Sequence, residues 1–97
     1  MILRVGRGRF DLKIVDQVDK VLKAAYAEIW PKQEKLPGYF EGYMGIDRVN
    51  GAIIWATVWD SVEHGEALGL LPEMVASNKK LRELGLVFEP ITSHELM

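Results

Sequence analysis

The chain has 97 residues, 48% of them hydrophobic, with 12 basic and 14 acidic side chains and no cysteine. That length makes residues 1–97 one expected domain, and a net charge of −2 lacks the basic surface from which nucleic-acid binding gains by counterion release. The lack of cysteine excludes disulfides, thiolate catalysis and cysteine-ligated metal centres, and agrees with a cytoplasmic location.

Charges or turn residues interrupt every apolar run short of a bilayer's thickness, so no membrane span is expected. No charged-then-apolar leader with a small-residue cleavage site is visible either. A chain this short has a thin core margin. Its apolar surplus is therefore assigned to an oligomer interface and a ligand pocket.

Ile2 to Phe10 reads as a strand, with Arg4, Arg7 and Arg9 interleaved among apolar residues. Alternation puts Arg7 and Arg9 on one face and Arg4 on the other. They are expected to pair with Glu41, Asp47, Glu89 or Glu95 on neighbouring strands. Asp11 suits an N-cap. Ile14, Val18, Val21, Leu22, Ala25 and Ile29 then recur at the three- and four-residue spacing of one helical face. Pro31 should kink or end that helix. A short turn, Lys32 to Leu36, precedes the break at Pro37-Gly38.

Tyr39 to Arg48 and Ala52 to Trp59 read as strands around Asn50-Gly51, a dipeptide suited to a type I′ hairpin turn. In that register Val49 faces Ala52, Met44 faces Thr57 and Gly42 faces Trp59. One face carries Phe40, Met44, Ile46, Ile53, Trp55, Thr57 and Trp59. The other carries Tyr39, Glu41, Tyr43, Asp47, Ile54, Ala56 and Val58. Both faces are largely apolar, so the sheet should be covered twice.

Asp60 and Glu63 have capping-box spacing for the next helix. Gly65, Gly69 and Pro72 predict a short helix, a break near Leu70, and a second helix from Pro72 to Leu84 closed by Gly85. Val87 to Glu95 is the last strand, with Pro90 marking an edge or a bulge. The order β-α-β-β-α-β predicts an α+β, ferredoxin-like fold: a four-stranded antiparallel sheet with helices on one face.

The run Leu36-Pro37-Gly38-Tyr39, then Tyr43, Asn50-Gly51 and Thr57-Val58-Trp59-Asp60-Ser61-Val62-Glu63, resembles the antibiotic biosynthesis monooxygenase-like family of the dimeric α+β barrel superfamily. The resemblance implies a homodimer whose sheets pack face to face, which would supply the second covering. It also implies a pocket between sheet and helices in each subunit. The group includes cofactor-independent oxygenases of quinol-like aromatics, haem-degrading enzymes, and members without known activity. Where the quinol-oxygenating relatives carry an asparagine, four residues before the strand-three tryptophan, this chain carries Trp55.

Two functions follow from these residues. The first is a monooxygenase-like enzyme acting on a small hydrophobic or aromatic molecule without a bound cofactor. The second is a non-catalytic dimer that binds a small ligand. In the first, Met44, Trp55, Thr57, Trp59 and Met74 line the substrate site and His64 is the catalytic acid or base, since imidazole titrates near neutrality. The plainer alternatives are that Trp55 and Trp59 are core anchors and that His64 is an exposed helix residue. No phosphate-binding glycine loop, metal-ligand spacing or nucleophile elbow is present.

Overall fold

The computed structural model describes all 97 residues, Met1–Met97. Strand β1 (Ile2–Arg9) leads through a 3-10 turn into helix α1 (Val15–Gln33), followed by β2 (Tyr39–Asp47) and β3 (Ala52–Trp59). Helix α2 (Val62–Glu66), a 3-10 turn and helix α3 (Pro72–Leu84) precede two short strands, β4 (Val87–Phe88) and β5 (Thr92–Glu95). The sheet is antiparallel in the order β2-β3-β1-β4, and β5 also pairs with β1. This is the ferredoxin-like arrangement the sequence predicts, with the last strand in two pieces. Pro90 has no amide to donate, and pairing lapses around it, although the Glu89 amide still donates to the Arg7 carbonyl at 2.9 Å. No helix is long and apolar enough to cross a membrane.

The helices lie on one face. Val18 and Leu22 of α1 and Leu81 of α3 bury against Ile53 and Phe10. Ala25 and Ile29 of α1 and Met74 of α3 bury against Trp59. Paired residues in an antiparallel sheet point to the same side. The register Arg4↔Thr57, Gly6↔Trp55 and Gly8↔Ile53 therefore puts Arg4, Gly6 and Gly8 under the helices. The other face carries Tyr43, Ala56, Ile54 and Arg7, and no helix packs on it.

Several local expectations are corrected. Helix α1 runs through Pro31 to Gln33. Ile29 and Gln33, four residues apart on one face, are both fully buried, so packing holds the final turn despite the missing proline amide. The β2–β3 hairpin is not a two-residue type I′ turn: Ala52 pairs with Asp47 rather than Val49, a slip of two residues. The Asp47 carboxylate accepts from the amides of Val49 and Asn50 and from the Asn50 side chain, which stabilises a loop spanning Arg48 to Gly51. Only Gly51 in that loop takes a positive φ, +75°.

A slip of two keeps each side chain on its face, so the face assignments for residues 42–47 survive. A bulge between Tyr39 and Glu41 then inverts the start of β2. Tyr39 packs edge-on against Trp59, and Phe40 is 59% exposed. The cap of α2 is Ser61, whose hydroxyl accepts from the His64 amide; Asp60 instead binds the His64 ring. Of the expected pairs of the β1 arginines, only Arg9 with Glu89 forms, at 2.7 Å.

Candidate functional site

A cavity of about 320 Å³ lies between the helix-facing side of the sheet and α3. Its floor is β1 and β3, where Arg4, Gly6, Ile53, Trp55 and Thr57 line it. Its roof is Met74, Ser77, Asn78, Leu81 and Arg82 of α3, and Leu68 and Gly69 close one end. Such a volume sits near the lower end of small-molecule sites.

Gly6 opens this space. It is in the middle of β1, where glycine weakens a strand, and its φ is ordinary. A Cβ there would meet only the Trp55 carbonyl oxygen, at 3.8 Å. No packing constraint calls for glycine, and the missing side chain leaves room over Trp55. Gly8, on the same face, differs: a Cβ would lie 2.4 Å from Leu86 Cδ2, so that glycine admits a core side chain.

Trp55 is half-buried and held from two sides. Its indole N–H donates to Gln33 Oε1 at 2.8 Å, and Trp30 lies tilted against it with ring centroids 5.8 Å apart. Tyr26 in turn stacks on Trp30 at 4.7 Å. Gln33 is fully buried and its amide nitrogen has no partner. Thr57 is buried, and its hydroxyl oxygen accepts the Trp59 indole N–H at 2.7 Å. The Thr57 hydroxyl proton is thereby left to donate.

Of the residues singled out from sequence, the structure brings Trp55, Thr57 and Met74 to this cavity. Trp59, with no exposed surface, lies in the core behind Thr57. Met44 pairs with Trp55 across the β2–β3 ladder and packs on the other core cluster. His64 is outside the lining: its Nδ1 lies 2.6 Å from Asp60 Oδ1, and both side chains are about half exposed. That contact holds the Asp60 carboxyl below its ordinary value. No three His, Asp or Glu side chains are placed to share a metal ion.

Sequence reasoning missed Gly6, Gln33 and Arg82. A glycine within a strand is a signal of close approach or of space, but helical periodicity carries no information about where a buried glutamine points. Arg4, expected to pair with a carboxylate, lines the cavity with none in bridging range.

Several solved structures share this fold. A candidate antibiotic biosynthesis monooxygenase from Deinococcus radiodurans superposes with a TM-score of 0.75 at 16% identity, covering 100% of this chain and 93% of that one. Rv0793 from Mycobacterium tuberculosis gives 0.70 at 11% identity, covering 99% and 94%. SnoaB from Streptomyces nogalater, a cofactor-independent oxygenase, gives 0.69 at 15% identity, covering 99% and 92%. No family model and no curated protein matches the sequence. The chain therefore has the fold of the antibiotic biosynthesis monooxygenase-like domains, and at these identities the likeness is one of fold.

Proposed function

We propose that this protein binds a small planar, mainly apolar molecule of the hydroquinone class in the cavity over Trp55 and oxygenates it without a bound cofactor. The observation that supports this reading is the space kept by Gly6 above an indole whose orientation is fixed by Gln33. The likeness to SnoaB, described as a cofactor-independent oxygenase, directs the reading towards dioxygen. The chemistry balances with substrate as the only reductant: a hydroquinone and dioxygen give a hydroxyquinone and water. Trp55, Thr57 and Met74 would contact the ring, with Met44 and Trp59 supporting the wall from behind. A base role for His64 would require a ligand reaching beyond the cavity lining.

A second reading is a non-catalytic small-ligand carrier. It is favoured by the titratable groups that line the cavity, which are Arg4, Arg82 and Glu89, with Glu89 already bound to Arg9. In both readings two copies pair through the bare sheet face, where Tyr43 is 63% and Ile54 38% exposed.

A two-ring aromatic burying about 200 Å² at ~25 cal/mol per Å² gains roughly 5 kcal/mol before ordering costs, so binding in roughly the millimolar range is expected. Calorimetry with naphthohydroquinones, paired with oxygen-electrode traces, tests this. Binding with oxygen uptake supports the oxygenase, and binding without uptake supports the carrier. No binding across the panel overturns both.

A further inference from the structure

The cavity's charge is at odds with that of the chain. The chain carries a net −2, yet Arg4 and Arg82 line this cavity, and neither forms an ion pair. The one carboxylate in the lining, Glu89, is taken by Arg9 from outside at 2.7 Å. Arg82 lies 5.0 Å over the Phe88 ring, a contact that leaves its N–H edge free to donate.

Arg4 is the more committed of the two. It is half-buried on the helix-covered face, directly across the β1–β3 ladder from Thr57, whose hydroxyl proton has no acceptor within the protein. Burial pushes the Arg4 guanidinium below its ordinary value, and the attraction of Glu66 only partly offsets this. Gly65 makes room for the side chain: a Cβ there would lie 3.3 Å from Arg4 Cδ and 3.1 Å from Trp59 Cδ1. A half-buried guanidinium with no carboxylate in bridging range is partly desolvated, and its donor fork matches a carboxylate in two parallel hydrogen bonds. A carboxylate can also take a third bond, from Thr57, on its remaining lone pairs.

We propose that the ligand of this cavity is an aromatic carboxylate, with its ring over Trp55 and its carboxylate held by the Arg4 guanidinium and the Thr57 hydroxyl. This rests on the reading of the cavity as a site for a planar ring and narrows it to an anionic class. The charge fixes which way round the ring enters, so the ring carbon to be oxygenated lies at the end away from Arg4.

The test compares 2-naphthoate with 2-naphthamide, which share a shape and differ in charge, by calorimetry at neutral pH on the unaltered protein. Naphthoate is expected to bind about tenfold or more tightly than the amide, with the preference shrinking as salt is raised. Arg4→Gln is expected to remove the preference, whereas Arg4→Lys keeps part of it. Equal binding of the two compounds to the unaltered protein overturns this inference alone, as does a preference that persists in folded Arg4→Gln. Failure of both compounds to bind overturns it together with the reading of the cavity. The comparison on the unaltered protein decides the question even if Arg4→Gln does not fold.

Discussion

Gly6, Trp55 and Thr57 divide the work of the cavity at the level of single side chains. Gly6 supplies the volume, Trp55 the flat wall, and Thr57 a donor whose acceptor capacity the Trp59 indole already uses. Gly6→Leu should fill the cavity, because the backbone angle is ordinary and the added atoms enter open space. The variant is expected to keep or raise its thermal midpoint, since strand glycines are weak and a void is filled. Its affinity for a naphthalene-sized ligand is expected to fall at least about tenfold by calorimetry. A variant that folds and still binds as tightly would show that ligand binding takes place elsewhere. Gln33→Leu tests the orientation of Trp55: it strands a half-buried indole N–H at a cost of about 1–3 kcal/mol, read as a lower urea midpoint.

The β2–β3 hairpin is where element-level forces override a local signal. Asn50-Gly51 alone favours a two-residue turn, but the Asp47 carboxylate captures the amides ahead of it and Gly51 donates to the Asp47 carbonyl at 3.1 Å. The Gly51 carbonyl then accepts from Phe10, tying the loop to the end of β1. Gly51→Ala is expected to cost at least about 1–2 kcal/mol for the positive φ, because its Cβ would also meet the Phe10 carbonyl oxygen at 2.2 Å. Chemical denaturation measures it.

The carboxylates that hold element ends set the acid limit. Asp47 is held below its ordinary range by the Asn50 hydrogen bonds, Asp19 by Lys23 and Arg48, Asp60 by His64, and Glu73 by Lys32. A folded pKa below the unfolded one gives stability that is present above the unfolded value and lost as pH falls through the folded one. Urea midpoints are therefore expected to stay level down to about pH 5 and to drop below about pH 4. A midpoint that rises on acidification through that range would contradict this.

At the scale of the whole molecule, the sheet has one face beneath helices and one bare. Tyr43, Ile54 and Ala56 on the bare face give it the apolar character of a surface that needs a second layer. If two copies meet there, Ala56→Glu places a charge within the contact. It is expected to yield monomers or insoluble protein by light scattering, with the helix-side cavity intact in any soluble monomer. A soluble dimer of unchanged mass would place the contact on another surface.

Element order, the helical face of α1, the break near Leu70 and the glycine end of α3 at Gly85 were all fixed by local patterns, since periodicity and backbone preference act over a few residues. The assignment of Trp55 and Thr57 to one face was equally legible, because alternation in a strand survives an even slip in register. Tertiary structure decided the rest. Strand pairing sets Arg4 beside Thr57 and Gly6 beside Trp55, helix packing carries α1 past Pro31 to bring Gln33 to the indole, and the bulge at Phe40 turns Tyr39 inward. Each of these depends on contacts between residues far apart in the chain, whose energies outweigh propensities of a few tenths of a kcal/mol to about 1 kcal/mol per residue.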